Sequence, residues 1–120
     1  MNNLRERTKR FAVQVFEVID QIPSSRKGLV IQTQLAKAAS SAAANYRAAQ
    51  RARSRAEFIS KLSIALEEFD ESAFWLEFLP DARLIPLEAV DELITEAGEL
   101  ATIVVASRRT ARKNDKKKNS

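Results

Sequence analysis

The sequence contains no cysteine and no histidine. The first absence excludes disulfides, thiolate nucleophiles and cysteine-ligated zinc. The second removes the imidazole metal ligand, the commonest general base and every catalytic triad built on histidine. Glycine occurs only twice, at Gly28 and Gly98, too far apart to form a phosphate-cradling loop. No apolar run approaches the roughly 20 residues that a membrane span needs. The charged segment Met1 to Arg10 is not followed by a signal-type apolar block ending in small residues. That predicts a cytoplasmic protein with no membrane partner. Carboxylate pairs such as Glu67/Glu71 and Glu92/Glu96 recur on any acidic helix and read as solvated or ion-paired faces. No catalytic residue, metal site or cofactor is expected, and the chain does not look like an enzyme.

What is present is 120 residues, 45% hydrophobic and 30% charged, a composition that suits one soluble globular domain. The helix breakers gather in three places: Pro23 to Gly28, Arg53–Ser54, and Pro80 to Pro86. Three breaks delimit four segments, each with apolar residues at helical spacing. In the first, from about Asn3 to Gln21, these are Leu4, Phe11, Val15 and Ile19, followed by Ile22. In the second, from about Lys27 to Arg51, they are Leu29, Leu35, Ala39, Ala42, Tyr46 and Ala49. Nine alanines lie between Ala36 and Ala52, favouring helix and close approach of a neighbour. The third opens on Ser54-Arg55-Ala56-Glu57, a capping-box pattern, and continues with Phe58, Leu62, Ala65, Leu66, Phe69, Ala73 and Leu76. The fourth begins at Pro86, acceptable at a first helical position, and carries Val90, Leu93, Ala97, Leu100 and Val104. Arg108, Arg109 and Arg112 suit its last turn. These patterns predict an all-α, up-down antiparallel four-helix bundle over residues 1–112. A disordered basic tail is expected over 113–120.

The charges are segregated along the chain. Residues 1–66 carry a net +8, residues 67–107 a net −10 and residues 108–120 a net +6. Glu88, Glu92 and Glu96 form an acidic i, i+4, i+8 stripe, and Arg47, Arg51 and Arg55 form a basic one. With sequential helices adjacent, one side of the bundle should be positive and the other negative. Such a protomer attracts copies of itself head-to-tail, and a contact of that kind gives a ring where it closes and an open chain where it does not. Ile59, Ile64, Phe74, Trp75, Phe78, Ile103 and Val105 lie off the main stripes, more apolar residues than one helix face hides. Trp75, Phe78, Glu88, Glu92 and Glu96 are therefore the candidate contacts between copies. The stretch Asn45 to Arg55 places Arg47, Arg51, Arg53 and Arg55 around one helix junction. Arginine forks suit phosphates, and the same residues could instead pair with acidic helices.

Gln34 to Ser41, followed by Ala44-Asn45-Tyr46-Arg47-Ala48-Ala49, resembles the second helix of a bacterial four-helix bundle family. Its members include proteins encoded in intervening sequences of large-subunit ribosomal RNA genes. Arg7 to Ala12, Arg51 to Leu62 and Glu68 to Glu77 continue the pattern, so the likeness spans roughly Leu4 to Leu79. The resemblance implies an up-down bundle that assembles into a ring, commonly a pentamer. Related accessory proteins of diversity-generating retroelements bind nucleic acid and a reverse transcriptase through a basic surface. Lys37 stands where the family has arginine, and Ala48 where it has glutamate. The expectation is thus a non-enzymatic oligomeric bundle that binds RNA or DNA, or scaffolds a nucleic-acid enzyme such as a reverse transcriptase. Its candidate contacts are Lys37, Arg47, Arg51, Arg53, Arg55, Arg108, Arg109 and Arg112. The alternative is a structural or protein-interaction module without nucleic-acid affinity.

Overall fold

The structure, a computed structural model, describes residues 3–119, with side chains described through Asn114. Four helices follow one another: α1 (Leu4–Ile19), α2 (Arg26–Gln50), α3 (Arg55–Asp81) and α4 (Asp91–Asn119). They form an up-down bundle about 55 Å long and just over 20 Å across. α2 packs most extensively on α3, α3 on α4 and α1 on α2, while the α1–α4 seam is the lightest.

The connections explain the topology. At the α2–α3 turn the Ser54 hydroxyl accepts the Glu57 N–H at 3.1 Å. The Glu57 carboxylate reaches back one residue beyond the cap, to the Arg53 N–H. Ser25 caps α2 in the same way, accepting the Gly28 N–H at 3.0 Å. Gly28 is required by crowding: a Cβ there would lie 2.4 Å from the Pro23 carbonyl oxygen. α3 ends in a Schellman-type turn, with the Leu84 N–H on the Leu79 carbonyl and the Arg83 N–H on that of Pro80. Arg83 takes the left-handed conformation, φ 59°, that glycine usually fills.

The core centres on Phe11, Val15, Leu35, Leu62, Phe69, Leu76, Leu79, Leu100 and Val104, all essentially buried. Phe11 and Phe69 meet edge to face, their centroids 5.7 Å apart. Ala38, Ala39 and Ala42 of α2 are fully buried, so α2 offers its neighbours nearly bare backbone. Thr8 and Ser72 are buried too, each hydroxyl donating to a carbonyl one turn earlier.

The α1–α4 seam depends on charge. Arg7 donates to both carboxylate oxygens of Glu96 and to Glu99, each at 2.7 Å. The Arg7 hydrogen bonds hold the Glu96 carboxyl below its ordinary range, against a smaller opposing push from burial.

Several expectations need correction. Leu29 does not face the core: it is 63% exposed, and Ile31 and Ala38 are buried instead. Pro86 does not open α4. It precedes a short 3₁₀ turn, Leu87–Ala89, and α4 starts at Asp91. A proline with ψ near 150° sits in extended backbone, and the chain needs one more turn before it realigns with α3. The expected tail over 113–120 is helical in backbone as far as Asn119, and Ser120 lies outside the described residues. Lysine and arginine are good helix formers, and no proline or glycine follows Gly98 to stop the helix. Arg108, Arg109 and Arg112 therefore do not occupy a last turn.

Four stability measurements follow. Ser54→Ala should cost about 1 kcal/mol in urea denaturation. Gly28→Ala should cost about 1–3 kcal/mol by overpacking. Gly98→Ala should be stabilising by up to about 1 kcal/mol, since a methyl group there meets nothing within 4 Å. Glu96→Gln should cost about 1 kcal/mol near neutral pH, as expected of a partly exposed bidentate pair. The depressed carboxyl means that this stability is fully present above the unfolded value, about pH 4.3. It is lost as pH falls through the lower folded value, so the gap between wild type and Glu96→Gln should close on acidification.

Candidate nucleic-acid interface

Antiparallel packing gathers four helix ends that are far apart in sequence. The start of α1, the end of α2, the start of α3 and the distal part of α4 share one end of the bundle. Arg5, Lys9, Arg47, Arg51, Arg53, Arg55, Arg109 and Arg112 are all exposed there. Among the residues whose side chains are described, Glu6 and Glu57 are the carboxylates that the same helix ends contribute. The opposite end holds Glu77, Asp81, Glu88, Asp91 and Glu92, with Arg26, Lys27 and Arg83 among them. Charge is thus sorted along the bundle axis as well as across it. α4 itself breaks the simple positive-side, negative-side division, since its first half is acidic and its second half basic.

The sequence-predicted residues divide by what they touch. Arg47 is fully exposed, and the neighbouring charges of Arg5 and Arg51 push its guanidinium below the usual arginine range. Arg51 caps α2, and Arg53 lies in the turn. Arg55 and Arg108 are partly committed to the fold. Arg55 donates to the Ala111 carbonyl at 3.4 Å, and Arg108 to the Ser63 hydroxyl at 3.2 Å, both across the α3–α4 seam. Lys37 is not brought to this end. It lies midway along α2, where its charge acts on Glu68 of α3. Burial nevertheless raises the Glu68 carboxyl above its ordinary value, with the adjacent Glu71 adding to the shift.

Two residues that sequence reasoning missed, Arg5 and Lys9, line a groove of about 620 Å³ with Glu6, Ala43, Ala44 and Arg47. Their signal was available. Cations one helical turn apart in the opening turns of a helix oppose its dipole, so they call for a compensating anion. A second groove, of about 580 Å³, opens at the same end between Gln50, Arg55, Phe58, Ser107 and Asn114.

The candidate contacts between copies lie elsewhere. Phe74 and Phe78 are about half exposed and stack with the half-buried Trp75, centroids 4.9–5.9 Å apart. The Trp75 indole N–H is buried without a hydrogen-bond partner. Glu88 and Glu92 line a polar groove between α1 and α4 together with Glu17 and Glu96. Glu96 is already held by Arg7.

Among the described residues no cluster of acidic side chains is arranged to hold a metal ion, and no helix is long and apolar enough to cross a membrane.

No curated protein matches the chain. A crystal structure from Bacteroides thetaiotaomicron, of a protein of unknown function from the S23 ribosomal protein family, superposes with a TM-score of 0.81 at 30% identity. The match covers 88% of this chain and 97% of that one. The model of the 23S rRNA-intervening sequence proteins matches residues 2–106. With that match across nearly the whole chain, and the same four-helix architecture in a solved relative, the chain belongs to the 23S rRNA-intervening sequence protein family.

Proposed function

We propose that this protein is a non-enzymatic bundle whose basic end binds the phosphate backbone of RNA or DNA. The observation that carries this is the convergence, on one exposed end, of arginines from four helices and a turn, against Glu6 and Glu57 as the carboxylates among the side chains described there. Guanidinium forks suit phosphate oxygens, and unpaired surface charge of one sign draws a polyanion. The ribosomal RNA association in the family's name agrees with a nucleic-acid partner. Contacts of this kind position a strand without reading its bases, so little sequence preference is expected.

The same reading includes self-association in the cytoplasm. The exposed rings of Phe74 and Phe78 beside Trp75 supply an apolar contact, and Glu88 and Glu92 supply charge for a neighbour's basic surface. A ring of five, and a reverse transcriptase or other nucleic-acid enzyme as a further partner, rest on the family resemblance. The aromatic cluster also favours the second reading, a protein-interaction module with no affinity for nucleic acid.

Fluorescence anisotropy with a labelled RNA tests the first reading. Affinity should fall steeply with salt, by a log–log slope of about 0.7–0.9 per phosphate contact. Replacing Arg53, Arg109 and Arg112 with Gln should lower that slope by about 2. Absence of binding to any RNA or DNA at low salt leaves the interaction module standing. Light scattering tests assembly: a mass several times 13.5 kDa is expected, and a monomer at micromolar concentration refutes it. Glu88→Lys with Glu92→Lys should weaken association.

A further inference from the structure

We propose that the seam between α1 and α2 at the basic end is a track for a single sugar-phosphate strand, with Arg5 and Lys9 on one bank and Arg47 and Arg51 on the other. This rests on the nucleic-acid reading above and says where on the basic end the backbone lies.

The geometry supplies the first support. Arg5 and Lys9 are four residues apart on α1, and Arg47 in the last turn of α2 is four residues from Arg51 at its C-cap. Four residues advance about 6 Å along a helix. That spacing is close to the step from one phosphate to the next along an extended strand. Packed helix axes lie about 8–10 Å apart, so the channel between the banks admits one backbone. A duplex could lay down only one of its two strands. The floor is Ala43 and Ala44, whose side chains stop at Cβ, so a phosphate can settle between the cations.

The electrostatics supply the second. The first two turns of α1 carry Arg5, Arg7, Lys9 and Arg10, and Arg5 and Arg7 stand in the first turn, where the helix dipole disfavours cations. Arg7 is relieved by Glu96 and Glu99. Arg5 and Lys9 have no ion pair among the described residues, and their groove contains one carboxylate, the exposed Glu6. Arg5 and Arg51 both press on Arg47 rather than relieving it. Three like charges around a shallow groove repel one another. A strand of phosphates satisfies all of them at once.

The test uses the full-length protein and a labelled single-stranded oligouridylate, titrated by anisotropy from about 50 to 200 mM salt. The triple variant Arg5→Gln, Lys9→Gln, Arg47→Gln should bind at least tenfold more weakly and lower the log–log salt slope by about 2. Its circular dichroism and scattering mass should be unchanged, and its Tm equal to or above that of wild type, because repulsion has been removed. The variant Arg5→Lys, Arg47→Lys keeps the charge and should retain most of the affinity.

Each other outcome overturns the track. If the triple variant binds like wild type while Arg109→Gln with Arg112→Gln does not, the strand lies elsewhere on the basic end and nucleic-acid binding survives. If wild type binds no oligonucleotide, both readings fall together. If the triple variant loses helicity or assembly, these cations are structural. If a polyglutamate peptide binds wild type as tightly as the oligonucleotide, the seam is a site for an acidic protein.

Discussion

The bundle depends on how closely its second helix can be approached. Ala38, Ala39, Ala42 and Ala49 of α2 are buried almost completely, and Ala43 and Ala44 floor the seam with α1. A methyl group is the smallest side chain that still favours helix, so α1 and α3 can both pack near the backbone of α2. Larger side chains at these positions would force α1 outward, widening the groove between Arg5 and Arg47. The same alanines therefore serve the core and set the separation of the basic residues above it.

Where α2 holds its neighbours by close packing, α4 is tied to α1 by charge. α1 has only 16 helical residues, the fewest of the four helices, and its light seam with α4 is bridged by Arg7, Glu96 and Glu99. A partly exposed pair of this kind is worth far less than a buried leucine. Its value lies in register, because a bidentate fork fixes one guanidinium against one carboxylate. It also takes Glu96 out of the set of carboxylates free to meet a second copy, leaving Glu88 and Glu92 in the groove beside it.

Conflicts between local preference and the final structure concentrate at the two ends. At the basic end, cations occupy the turns of α1 where a helix least favours them. At the acidic end, Arg83 holds a left-handed conformation without being glycine, which costs roughly 1–2 kcal/mol. The anionic partner proposed above would account for the first conflict. For Arg83 the Schellman turn explains the conformation, and nothing in the structure explains the choice of arginine.

Much of the fold was legible in the sequence because it follows from periodicity and punctuation. Four apolar stripes, three breaks and the Ser54 cap are local properties of the chain, and the stripe of α4 from Val90 to Val104 is buried throughout. Leu29 was misplaced because it stands six residues before Leu35, a step of about 600° that turns it roughly 120° away from the face that buries Ile31 and Leu35. The backbone of α4 runs on to Asn119, past the last apolar position of its stripe, where lysine and arginine propagate a helix well. The arginines of the α2–α3 junction could be named from the sequence, being close together along the chain. Arg5 and Lys9 carry a fainter signal, two cations in the opening turns of α1, but neither their nearness to Arg47 nor the place of Lys37 midway along α2 is readable along the chain. Which cations share a surface depends on how antiparallel helices align, and only the packed bundle brings residue 5 beside residue 47.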